Sequence, residues 1–152
     1  MPEATTRIRV SFADVDSSQR IHFTAWFRYM EVAEHALMRS IGAPYSSMEL
    51  EVALPRVHLE GDFRGAIEYD DLLDVETRVE RVGTSSWTLA FTGWHVGKGE
   101  PDPQRGEIVA TGRMTVVAMD PATQRSTPLP ERLKRVLQGA DEPIGAPAPA
   151  AQ

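Results

Sequence analysis

A chain of 152 residues is the size of one domain, and a domain of that size buries about 70% of the surface its unfolded form exposes. Its 41% apolar and 25% charged residues are ordinary for a globular fold, and the lack of cysteine excludes disulfides, zinc–thiolate sites and cysteine nucleophiles. A net charge of −6 argues against general affinity for nucleic acid, no apolar run approaches the ~20 residues of a membrane span, and the N-terminus has no apolar signal-peptide core, so a cytoplasmic address is expected.

In chain order, Ile8, Val10 and Phe12 alternate with Arg7, Arg9 and Ser11, which predicts a half-buried strand over 6–12. A polar loop, 13–21, follows. Trp26, Met30, Ala33, Leu37 and Ile41 then recur at helical spacing, with Thr24 suited to cap the helix and Gly42 and Pro44 suited to end it. Phe27 and Tyr29 widen the apolar face, whereas Glu31 and Glu34 read as lying off it. A helix apolar over so much of its girth is expected to be enclosed.

Strands follow. Leu50, Val52 and Leu54 alternate, and Val57 and Leu59 resume in the opposite phase past Pro55, which marks an edge strand or a bulge. Leu73, Val75, Thr77 and Val79 alternate with charged residues in a clean inside/outside strand. Gly83–Ser85 makes a turn into a strand carrying Trp87, Leu89 and Phe91, residues 97–105 read as a polar hairpin tip, and 107–119 form a last strand rich in β-branched residues. Pro128 and Pro130 bracket the start of a short helix, 131–137, with Leu133, Val136 and Leu137 inward. The alanine- and proline-rich end has no periodicity, which leaves one domain over 1–139 and a disordered tail over 140–152. Consecutive strands with short turns pair antiparallel, so the fold class is α+β: one long central helix wrapped by a curled antiparallel sheet of about five strands. The open edge of such a sheet is most simply covered by a second copy.

Asp14, Asp16 and His22 fall just before the long helix, whose start carries free amides and about half a positive charge. Such a place suits an oxygen that becomes negative during a reaction. Turn formation is the plainer role for the same aspartates. The run Phe12-Ala13-Asp14-Val15-Asp16, then Arg20-Ile21-His22-Phe23-Thr24-Ala25-Trp26-Phe27-Arg28-Tyr29, resembles the hotdog-fold thioesterases of the 4-hydroxybenzoyl-CoA thioesterase type. Gly61-Asp62-Phe63, Tyr69 to Val75, and Val79 to Ser86 are similar to further stretches of that family, so the resemblance spans about 6–119. Gln19 stands where the family usually has glycine.

The resemblance implies hydrolysis of an acyl-CoA or acyl-carrier thioester by a homodimer or homotetramer. It makes Asp16 the group that attacks the thioester or activates water, Asp14 structural, and the amides near His22 to Thr24 the carbonyl-polarising site. His22 would position Asp16 or donate to the leaving thiolate. Phe23, Thr24, Glu31 and His58 are candidates for substrate contact, His58 across a dimer. No cofactor or metal is expected: the four histidines lack metal-site spacing, and neither a glycine-rich phosphate loop nor a Gly-x-Ser-x-Gly elbow occurs. Two other activities fit such a fold, non-catalytic acyl-CoA binding and hydration or dehydration of an acyl thioester. The Asp-x-Asn-Pro-x-His type motif of the hydratases is absent.

Overall fold

A computed structural model describes residues 1–103 and 106–140. The tail expected over 140–152 lies, from residue 141, outside the described residues, as do positions 104 and 105 of the 97–105 loop. The elements are β1 (Glu3–Arg9), a 3-10 turn (Phe12–Asp14), α1 (Phe23–Ser40), β2 (Arg56–Phe63), β3 (Asp71–Val82), β4 (Ser86–Lys98), β5 (Glu100–Pro101), β6 (Ile108–Val117) and α2 (Glu131–Leu137). The sheet is antiparallel with order β1-β3-β4-β6-β2, and the two-residue β5 folds back onto β4.

The core is made by one face of α1 against the concave face of this sheet. Ala25, Trp26, Tyr29, Met30, Ala33, Leu37 and Met38 are buried on the helix, and Leu73, Val75, Val79, Trp87, Leu89, Phe91, Ala110, Met114 and Val116 meet them from the strands. Glycines on β2, β4 and β6 leave room for the large side chains that α1 projects onto these strands. A methyl group added at Gly112 would sit 2.6 Å from Met30 Sδ, one at Gly93 2.9 Å from the Trp26 ring, and one at Gly61 3.1 Å from both Phe27 and Trp26. Trp26 Nε1 closes the trough by donating to the Thr111 carbonyl at 3.1 Å. α2 caps the open end with Leu133, Val136 and Leu137, the residues expected from its spacing.

Several sequence expectations need correction. The first strand begins and ends earlier than 6–12: the chain leaves the sheet at Arg9, and Phe12 is 75% exposed in the 3-10 turn rather than buried beside Ile8. Residues 50–54 form no strand. Their alternation comes from an extended strap that lays Leu50, Val52 and Leu54 partly on the core, touching the sheet's ladder through a bridge from Ala53 to Met119. The sheet place next to β6 is taken by β2, an edge strand that starts just past Pro55 and is bulged between Arg56 and His58. Glu34 lies on the buried face of α1, not off it, and is fully buried. It stands four residues from both Met30 and Met38 and so shares their side of the helix. The opposite side of α1, with Arg28, Glu31 and Val32, is exposed in the single chain, so the sheet covers one face of the helix rather than enclosing it.

Candidate active site

The loop between the 3-10 turn and α1 is folded tightly by its own backbone. Asp16 N donates to Arg20 O at 2.9 Å, Gln19 N to Asp16 O at 3.0 Å, His22 N to Asp14 O at 2.8 Å and Ile21 N to Ile67 O at 2.9 Å. This turn forces Gln19 into the left-handed region, at φ 69°. Glycine accepts that conformation without steric cost, which accounts for the residue usual there in the resembled family.

The two aspartates are used differently. Asp14 is buried and accepts from Arg28 NH2 at 2.5 Å and from the Tyr29 hydroxyl at 2.7 Å. Burial alone would raise its pKa, but the hydrogen bonds from Arg28 and Tyr29 and the Arg28 charge outweigh it and hold Asp14 below the ordinary carboxylate range. The same burial and carboxylate push the Tyr29 phenol well above its usual value. Asp14 is thus committed to joining the loop to the helix, the structural role that the resemblance implied for it.

Asp16, by contrast, is exposed. Its Oδ1 accepts from both Ser18 N at 2.8 Å and Ser18 Oγ at 2.5 Å, a local turn that fixes the carboxylate's direction. Those two bonds, and then the His22 charge, lower its pKa, so at neutral pH the group is a carboxylate ready to act without first losing a proton.

His22 is the N-cap of α1, a place the sequence assigns to Thr24. The helix starts two residues earlier than that assignment requires, so Thr24 is the second helical residue and its amide is itself in need of a cap. Nδ1 of His22 lies 3.4 Å from Thr24 N and 2.8 Å from Thr24 Oγ1. An accepting Nδ1 places the proton of the neutral ring on Nε2, which makes His22 a donor on its far side. Phe23, stacked on the His22 ring and 61% exposed, opens the helix. Helical geometry leaves the first amides without carbonyl partners, so the N–H groups of Phe23 and Thr24 stand at the electropositive end of an 18-residue helix.

The structure therefore brings Asp16, His22, Phe23 and Thr24 together. Glu31 and His58 are not with them in the single chain. Glu31 is exposed two turns further along α1, where its charge acts on Arg56. His58 pairs with Thr115 and lies 3.4 Å from Glu60, on the outer face of β2. Exposed apolar groups include Phe12, edge-on to Tyr69, Phe23 at the helix start and, along β2, Val57, Leu59 and Phe63. Sequence reasoning missed Ser18, although an Asp-x-Ser spacing is itself a signal of a side-chain-to-backbone turn.

Among sequences of known families, the profile of the thioesterase-like superfamily matches residues 10–137. A candidate esterase of Aquifex aeolicus (strain VF5) is 33% identical over 88 residues, 56% of this chain and 67% of that protein. A 1,4-dihydroxy-2-naphthoyl-CoA hydrolase of Prochlorococcus marinus (strain MIT 9313) is 27% identical over 140 residues, 86% of this chain and 87% of the relative. In backbone, the chain is similar to the crystal structure of a 1,4-dihydroxy-2-naphthoyl-CoA thioesterase from Synechocystis, with a TM-score of 0.78 at 17% identity, covering 93% of this chain and 99% of that one. It is also similar to an aspartate-to-asparagine variant of 4-hydroxybenzoyl-CoA thioesterase crystallised with 4-hydroxybenzoyl-CoA, with a TM-score of 0.76 at 17% identity over 90% and 99% of the two chains.

Proposed function

The chain belongs to the thioesterase-like superfamily and hydrolyses acyl thioesters of the acyl-CoA type, and from that premise we propose that Asp16 is its reacting carboxylate and that its substrates are aromatic acyl-CoA esters. The observation that carries the assignment is an exposed, ionised Asp16, aimed by Ser18 and coupled in charge to His22, the N-cap of α1. The aromatic preference rests on relatives that are named for naphthoyl-CoA substrates and on the exposed aromatic residues Phe12, Phe23, Phe63 and Tyr69.

The thioester carbonyl oxygen accepts from the Phe23 amide at the helix start, the Thr24 amide being capped by His22 Nδ1, and negative charge developing on that oxygen is stabilised by fixed dipoles. In one route the Asp16 carboxylate attacks the carbonyl carbon, the C–S bond breaks to leave the coenzyme A thiolate, and water then hydrolyses the mixed anhydride. In the other, Asp16 takes a proton from a water that attacks directly. Both routes consume one water and yield a carboxylate and a thiol. His22 Nε2–H is the donor placed to meet the thiolate. A single turnover in isotopically labelled water identifies the anhydride route when water attacks the Asp16 carbonyl carbon, because the product then carries an oxygen of Asp16 and the label stays on the protein.

The assembly proposed with this site is a homodimer through β2. That strand is the edge of the sheet among the described residues, its outer backbone groups have no neighbouring strand there, and Val57, Leu59 and Phe63 expose apolar surface along it. Two copies pairing β2 antiparallel would extend one sheet through both protomers and give the exposed helix start a roof. The cytoplasmic address expected from composition belongs to the same proposal.

The test is thiol release from a panel of benzoyl-, hydroxybenzoyl-, hydroxynaphthoyl- and straight-chain acyl-CoA esters. The expected result is turnover that is fastest on the aromatic members. A panel dominated by straight-chain esters overturns the aromatic assignment.

A further inference from the structure

The resemblance makes Thr24 a candidate for substrate contact, yet the residue turns both of its polar groups onto His22. Its hydroxyl lies 2.8 Å and its amide nitrogen 3.4 Å from the same ring atom, Nδ1. The amide decides the direction of both contacts. A backbone N–H can only donate, so the Nδ1 it faces carries a lone pair, and a hydroxyl beside that lone pair donates to it as well. A proton on Nδ1 would instead face the Thr24 N–H, two donors pointing at each other, and the start of α1 would lose its cap.

The hydroxyl is the stronger of the two restraints. At 3.4 Å the amide contact is longer than an ordinary hydrogen bond, whereas 2.8 Å is close to ideal for a hydroxyl donor. His22 is exposed, so burial does not hold its ring. Phe23 stacks on it, with centroids 4.7 Å apart and planes 29° apart, and stacking alone lets the ring turn over in its own plane. A half-turn about χ2, a torsion with two broad settings, would put Cδ2 where Nδ1 stands and Cε1 where Nε2 stands. The outward N–H would then be replaced by a C–H. The Thr24 hydroxyl is what distinguishes the two settings, and His22 is close enough to the reacting carboxylate for its charge to act on Asp16.

This inference rests on the reading above in which His22 Nε2–H meets the leaving sulfur. We propose that Thr24 is a positioning residue for the hydrolysis: its hydroxyl holds His22 as a neutral ring with the one N–H turned outward, a fixed hydrogen-bond donor to the departing thiolate and not the source of its proton. The C–S bond breaks with its electron pair going to sulfur, and the proton stays on Nε2. A neutral imidazole is a far weaker acid than a thiol, whose pKa is about 8.5, so the thiolate takes its proton from water afterwards.

The test measures kcat and KM for the fastest ester of the acyl-CoA panel above, and reads the two His22 ring nitrogens by 15N NMR at about pH 8, where an ordinary imidazole is neutral. Thr24→Val removes the hydroxyl in the same shape and keeps the amide. Thr24→Ser restores the hydroxyl, and His22→Asn keeps a capping oxygen without the outward N–H. In the wild type and in Thr24→Ser the proton is expected on Nε2 alone. In Thr24→Val the two nitrogen signals should move toward each other as the ring samples both tautomers. Its kcat should fall about fivefold, the worth of one ordinary hydrogen bond, with KM unchanged. His22→Asn should lose at least as much in kcat. A wild-type proton on Nδ1, or a Thr24→Val protein that raises KM and keeps kcat, overturns the proposal. So does a Thr24→Ser protein as slow as Thr24→Val, which would assign the loss to packing. If His22→Asn keeps the wild-type kcat, the sulfur-donor reading of His22 falls too. If His22→Asn is slow and Thr24→Val is not, this inference alone fails.

Discussion

The loop before α1 and the middle of α1 each hold a carboxylate, and the two regions spend them in opposite ways. Asp16 in the loop is exposed and held on one oxygen by Ser18. Glu34 in the helix is fully buried, with both oxygens taken by Arg56 and one shared with Tyr45. A carboxylate buried with both oxygens hydrogen-bonded is a building element. One left at a helix start with a free oxygen is available for chemistry. The contrast teaches that burial, more than the residue type, separates the structural acid from the one proposed to react in this chain.

The largest expected effect breaks the comparison at the loop. Asp16→Asn should lower kcat by about 10²-fold or more, the usual scale for a lost acid–base or nucleophilic group, with thermal unfolding unchanged because the side chain is exposed. Activity within tenfold of wild type, measured as thiol release, would remove Asp16 from the reaction. Glu34→Ala is the mirror case. It leaves the Arg56 guanidinium and Tyr45 hydroxyl without their acceptor and should cost about 3 kcal/mol in denaturant unfolding, the low end for breaking a buried pair, since Arg56 is partly solvated. A loss below about 1 kcal/mol would show that the assembly does not brace the fold.

Asp14 stands between these extremes. It is buried, but its Arg28 partner is 60% exposed, so screening reduces the pair's worth. Asp14→Asn should cost about 1–2 kcal/mol at neutral pH. Because the folded-state pKa of Asp14 is depressed, its contribution is present above the unfolded-state pKa and is lost as pH falls through the folded value. The stability gap between wild type and variant should therefore close in acid. A gap that is constant from pH 7 to below pH 3 would assign it to shape rather than charge.

How legible these regions were follows from what period and spacing encode. β3, β4 and α2 were readable because one side of each faces the core and the alternation is a direct imprint of that. The strap 50–54 carries the same imprint without a ladder, since one-sided packing alternates side chains whether or not a strand lies alongside. Phe12 misled because alternation continued two residues past the point where the backbone turned. Asp16 was legible through resemblance, not through spacing. The Glu34–Arg56 pair was hidden for a physical reason: its partners are 22 residues apart, and only the bulge, which the sequence hints at through Pro55, turns Arg56 inward.

The finest test sharpens the loop side of the comparison without removing the reacting group. Ser18 supplies two hydrogen bonds to Asp16 Oδ1, and these are the main reason the carboxylate sits below its ordinary range of about 4. The ionised form is the active one in either route, so activity should hold level as pH falls through 5 and drop only below the ordinary carboxylate range. Ser18→Ala removes the hydroxyl bond and keeps the backbone one. Its acid limb in kcat/KM should move upward in pH toward the ordinary value, and only part of the way because one bond remains and the site is open to water. Activity at pH 7 should change little, since Asp16 stays ionised there in both proteins. An acid limb that does not move, or that moves downward, would mean that Ser18 orders the turn without tuning the carboxylate, and that some other group sets its ionisation.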